Sequence, residues 1–144
     1  MSDPFSIAAG VVGITGVALH GTRRLQEDLQ QLKDAPETVK RLKEDVNSVE
    51  IALKSIQAVE KSEWEMLGAD VVELSRTTIS NCTQACEVFR IDLQRWTKHS
   101  EEGKLTWRDG ARVGFFKQGQ IKAMSQQLAN FKLTINNVVN IATL

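Results

Sequence analysis

Between Val39 and Ile56 an apolar residue returns at every third or fourth position: Val39, Leu42, Val46, Val49, Leu53 and Ile56, with mostly charged and polar residues between them. That alternation matches the 3.6-residue turn of an α-helix and draws a narrow apolar seam along one face. Such a seam needs a partner with the same pattern, so it commits the chain to helix-on-helix packing. Three other stretches repeat it. Ile7, Val11, Ile14, Ala18, Leu25, Leu29 and Leu32 predict a first helix from Pro4 to about Lys33, with Asp3 as N-cap and Pro4 where a missing N–H costs nothing. Asp34-Ala35-Pro36 breaks it. The second helix then runs from Glu37 to about Lys61.

Trp64, Leu67, Val71, Leu74, Ala85, Phe89, Leu93 and Trp96 predict a third helix from about Glu63 to Lys98, bent or split near Gly68. Phe116, Ile121, Met124, Leu128, Phe131, Ile135 and Val138 predict a fourth from about Ala111 to Ile141. Ser100 to Gly110 reads as a loop in which Leu105 and Trp107 dock on the bundle. The expected fold class is all-α: a four-helix bundle of long antiparallel helices with a glycine-rich first helix, forming one domain over residues 1–144.

Catalysis finds no foothold in this pattern. There is no Walker A sequence, dinucleotide fingerprint, HExxH or Gly-x-Ser-x-Gly elbow. Two histidines, His20 and His99, do not make a metal or acid–base site by themselves. Cys82 and Cys86, spaced i, i+4 with no further cysteine or nearby histidine, read as small buried residues in a reducing cytosol. The chain is expected not to be an enzyme and to need no metal or cofactor. Met1-Ser2-Asp3 lacks the positive charge of a secretory leader, and Ser2 stands where myristoylation needs glycine, so a cytoplasmic location is expected.

The formal net charge is zero, which gives no general attraction for nucleic acid. Its distribution is uneven. From Gly103 onward there are six basic residues against one acid, Asp109. This asymmetry fits either complementarity between helices or an anion-facing patch. In the second case Lys104, Arg108, Arg112 and Lys117 are the candidate contacts to anionic lipid headgroups.

The first helix carries the strongest anomaly. Pro4 to Thr22 holds no formal charge with His20 neutral, and its nineteen residues span about 28 Å, close to the hydrocarbon thickness of a bilayer. Phe5, Ile7, Val11, Val12, Ile14 and Leu19 lie nearly all round it and are the candidate membrane-inserting residues. Glycine is about 1 kcal/mol poorer than alanine inside a helix, so Gly10, Gly13 and Gly16 need a reason. Either they let neighbouring helices approach a central buried helix, or Ala9, Gly10, Gly13, Gly16 and Gly21 form a small-residue face for association of copies in a membrane, interrupted at Val17. Burial of Ile7, Val11 and Ile14 distinguishes a helix docked at rest from one already exposed.

Two segments add a family resemblance. Ser2-Asp3-Pro4-Phe5-Ser6-Ile7-Ala8-Ala9-Gly10-Val11-Val12-Gly13 resembles the start of the fungal N-terminal domain of STAND (NACHT or NB-ARC) receptors, the HeLo-like family. Gly103-Lys104-Leu105-Thr106-Trp107-Arg108, followed by Val113-Gly114-Phe115-Phe116, is similar to that family's loop into its last long helix. The resemblance implies a cell-death execution or signalling domain that oligomerises, moves to the plasma membrane and permeabilises it through its glycine-rich N-terminal helix. It implies as partners other copies of the chain, anionic lipids and an upstream receptor or regulatory domain, within a longer protein. The alternative is a homotypic adaptor module of a fungal immune receptor without membrane activity, its glycines serving packing and its contacts using charged faces such as Lys40, Arg41 and Lys43.

Overall fold

A computed structural model describes residues 4–33, 35–100, 103–108 and 114–144; the side chains of residues 4–9, 115 and 116 fall outside that description. Among the described residues the elements in order are α1 (Pro4–Gln30), α2 (Glu37–Gln57), α3 (Lys61–Met66), α4 (Ala69–Trp96), β1 (Thr97–His99), β2 (Leu105–Trp107) and α5 (Phe115–Ala142). The fold is an all-α bundle with one small hairpin. The expected cap Asp3, the breaker Asp34 and the expected start of the last helix at Ala111 lie outside the described residues.

The seams fold as their spacing requires. Val39, Leu42, Val46, Val49, Leu53 and Ile56 are all buried on α2, and Ile121, Met124, Leu128, Phe131, Ile135 and Val138 are buried on α5. Around the bundle the order is α1–α2–α5–α4, because α1 packs on α2 and α4 while α5 packs on the same two. The buried stripe of α1 contains two threonines. Their hydroxyls donate to carbonyls of the same helix, Thr15 Oγ1 to Val11 O at 2.6 Å and Thr22 Oγ1 to Leu19 O at 2.9 Å, so their burial leaves no orphan polar atom.

The hairpin sets the directions. β1 and β2 pair antiparallel, with Thr97 opposite Trp107 and His99 opposite Leu105, and Gly103 takes the left-handed turn conformation (φ 75°). β2 also joins the end of α1: Leu105 N–H donates to Gln31 O at 2.9 Å, and Lys33 N–H donates to Leu105 O at 2.9 Å. Since β1 continues α4, the C-terminal ends of α1 and α4 meet at this pole. The ion pair Arg90–Asp28, 2.7 Å and mostly shielded, ties the same two ends. Long helices therefore alternate in direction along the chain, yet the spatial neighbours α1 and α4 run parallel, as do α2 and α5. The segment from α2 to α4 crosses the opposite pole diagonally, and α3 lies across it with Trp64 buried against the core.

The third predicted helix is split near Gly68, one of the two outcomes expected there: Leu67 is extended (φ −79°, ψ 145°), and α3 is a separate turn opened by a capping box in which Glu60 N–H donates to Glu63 Oε1 at 2.9 Å. Other details differ from expectation. The second helix consequently stops at Gln57. The split also restarts the helical phase. Leu74, placed inward by continuing the Leu67–Val71 spacing, is 51% exposed, and Val72, Ser75, Ile79, Cys82 and Cys86 line the inside instead. Finally, the Ser100–Gly110 loop contains a strand; Leu105 and Trp107 do dock, both buried.

Truncating Leu42 or Leu128 to alanine is expected to lower unfolding free energy by about 2–5 kcal/mol in urea titration, as core leucines do. Leu74→Ala is expected to stay within about 0.5 kcal/mol, as surface changes do. A loss at Leu74 equal to that at Leu42 would contradict the helical phase seen here.

Candidate functional site

Successive α-helical residues turn by about 100°, so the two faces of α1 separate cleanly. Val11 and Leu19 point inward and are buried, and Ile14 is half-buried against the core. Val12 (46% exposed), Gly13, Gly16, Val17 (58% exposed) and His20 point outward. An outward helix face in a bundle ordinarily carries charge. Here none appears from residue 10 to residue 22; the first cations are Arg23, paired with Glu50 at 2.9 Å, and Arg24. Phe5, Ile7 and Ala9 have side chains outside the described residues.

The glycines stand in the open. A Cβ placed on Gly10, Gly13, Gly16 or Gly21 would meet no neighbouring atom within 4 Å. Of the two readings of the glycines, close packing of a helix within the chain finds no support among the described residues: α1 packs on α2 and α4 by its other side, and no described backbone approaches this one. Of the six residues expected to insert in a membrane, Val11 and Leu19 are committed to the core, Ile14 is partly so, and Val12 is free. Among its described side chains, helix α1 is docked at rest by one face while its other face, from residue 10 to residue 20, is bare.

The basic residues lie elsewhere. Lys104 and Arg108 are exposed on the hairpin, and Lys117 is half-buried in the first turn of α5, at the pole where α1 ends. Arg112 lies outside the described residues. Gly13 is seventeen residues before the end of α1, about 26 Å along its axis. The structure thus gathers Lys104, Arg108 and Lys117 at one pole and does not bring them beside the glycine-rich half of α1. Among the described residues no helix is long and apolar enough to cross a membrane, and no cluster of potential metal ligands occurs. His20 and His99 are exposed on separate elements.

Cys82 and Cys86 are buried and unbridged, one turn apart on α4. A hydrogen bond with Cys86, reinforced by burial, pushes the Cys82 thiol far above its ordinary range. It stays protonated and makes a poor nucleophile. Five side-chain polar atoms are buried without a partner among the described residues: Gln26 Oε1, Thr38 Oγ1, Ser100 Oγ and the indole N–H groups of Trp64 and Trp107.

Against known families, the model for the N-terminal domain of the pigment biosynthesis cluster protein PigL matches residues 2–144, and the chain belongs to this family of fungal N-terminal domains. No curated protein and no solved structure matches the chain significantly.

Because a new methyl meets open space, Gly13→Ala and Gly16→Ala are each expected to stabilise the isolated domain by about 0.5–1 kcal/mol. Thermal or urea unfolding of the single variants checks this; destabilisation would mean that a neighbour occupies the face. The Cys82 shift makes a second prediction. Below the ordinary thiol pKa of about 8.5 both folded and unfolded chains hold the proton, and above it only the folded chain does, so stability falls as pH rises past that value. Urea midpoints at pH 7.5 and 9.5 are expected to separate in the wild type and to draw together in Cys82→Ala.

Proposed function

Taking membership of the PigL N-terminal family as the premise, we propose that this domain is a self-assembling effector whose copies associate through the outer face of α1 and then permeabilise the plasma membrane. The observation that carries the reading is the pairing of a well-anchored inner stripe with an uncharged outer face, on which Val12 and Val17 are exposed and a Cβ at Gly13 or Gly16 would meet no described atom within 4 Å. Small residues let helix backbones approach closely, and close approach is what drives association where lipid removes the hydrophobic advantage. The HeLo-like resemblance of residues 2–13 supplies the cell-death role and the passage from cytoplasm to plasma membrane.

In this reading one copy of α1 does not span a bilayer alone. Its inner residues Val11 and Leu19 leave the core only when a partner triggers release, and several copies line the breach together. Other copies of the chain, anionic lipids and an upstream regulatory domain are the partners; catalysis plays no part. The second reading, a homotypic adaptor without membrane activity, is favoured by the separation of the basic pole from the glycine-rich half of α1. That separation leaves no single surface where headgroup contact and insertion coincide.

Dye release from anionic liposomes tests the choice. The intact chain is expected to leak them, and a chain lacking residues 1–22 is expected not to. Gly13→Leu with Gly16→Leu is expected to fold and yet to lose both self-association, read by light scattering, and leakage. Equal leakage from intact and truncated chains would sink the membrane reading; self-association without any leakage would favour the adaptor.

A further inference from the structure

Between α2 and α5, where the helices run parallel, lies a groove of about 370 Å³ lined mostly by polar residues. Glu37, Thr38, Arg41 and Asp45 enter it from the first turns of α2, and Lys122 and Ser125 from α5. Three features set it apart from solvated surface. Ser125 is only 9% exposed, and its hydroxyl makes no hydrogen bond to another described residue. Across the groove Thr38 Oγ1 is itself buried and has no partner among the described residues. Buried hydroxyls are nearly always partnered, and one left alone costs about 1–3 kcal/mol.

The charges are likewise unspent. Arg41, Lys122, Glu37 and Asp45 line one groove, yet none of them is in an ion pair among the described residues. The start of α2 opens at this place behind Pro36, which supplies no side-chain cap. Of the first-turn N–H groups that of Val39 already donates to Pro36 O at 3.0 Å, and the positive end of the helix dipole lies at the head of the groove.

We propose that the groove binds a small organic phosphate ester that also carries an ammonium group. The Thr38 and Ser125 hydroxyls, the Arg41 guanidinium and the Lys122 ammonium hold the phosphate oxygens at the α2 N-terminus. Asp45 follows Arg41 by four residues, about 6 Å along the axis, and faces the ammonium. That spacing suits phosphate and amine joined by a two-carbon link. Two cations against two carboxylates leave the groove neutral, so polyphosphates, which would meet Glu37 and Asp45 uncompensated, are disfavoured.

Titration of the ¹⁵N-labelled chain with O-phosphoethanolamine, followed by NMR, tests the proposal. Saturable shifts are expected at the amides around Thr38, Arg41 and Ser125, with inorganic phosphate binding more weakly. Arg41→Gln and Lys122→Gln are each expected to weaken binding about tenfold, the loss of one charge-assisted hydrogen bond. Ser125→Val is expected to weaken binding by up to about tenfold, one hydrogen bond to the phosphate, without lowering Tm, which separates a ligand role from a structural one. Phosphatidylethanolamine vesicles provide a second arm. Flotation with them that Arg41→Gln removes, without response to the soluble probe, assigns the same chemistry to a lipid headgroup. Absence of saturation up to about 20 mM together with no such flotation, or binding that Arg41→Gln leaves unchanged, overturns the site.

Discussion

Everything in this bundle depends on the wedge that α1 drives between α2 and α4. Val11, Ala18, Leu25 and Leu29 are fully buried along it, and each buried side chain contributes on the order of 1.5–3 kcal/mol relative to exposure. The ion pairs Arg23–Glu50 and Asp28–Arg90 brace the wedge on its two sides. The second of these is shielded enough to matter geometrically, since removing one partner would strand the other. With one face held so firmly, the opposite face is free of any packing duty. This explains how a helix with three interior glycines persists: the inner stripe tolerates their roughly 1 kcal/mol penalties.

Much of this was readable from spacing. The α2 seam and the α5 seam from Ile121 to Val138 needed no correction, since every turn of an uninterrupted helix repeats the same phase. The bare character of the α1 face was also readable as absence of charge between Pro4 and Thr22. Which way the glycines faced was not, because a glycine has no side chain to mark a face. Leu74 failed for a definite reason: helical phase does not carry across a break, and the extended Leu67 resets it. β1 and β2 escaped notice because three residues are too few to show a period of two. They exist through pairing with each other and, for β2, with Gln31 and Lys33.

The α2/α5 groove was invisible in the sequence on different grounds. Thr38 and Ser125 are unremarkable helix residues separated by most of the chain. They meet only because α2 and α5 run side by side in the same direction, a relation that follows from the diagonal crossing of α3 and from nothing local to either residue. The same crossing puts Trp64 against the core at the pole where α1 begins. Sites made by register between distant helices are legible only after the topology is known.

The parallel pairing has an electrical consequence. Summed along the axis, two helices up and two down cancel, so the bundle has little overall moment. Across the bundle they do not cancel. The amino ends of α2 and α5 stand together at the hairpin pole, beside the carboxyl ends of α1 and α4, and each end carries about half an elementary charge. Each pole is thus split into a positive and a negative half, a quadrupole written in backbone amides alone. Substituting surface residues can mask that pattern but cannot remove it.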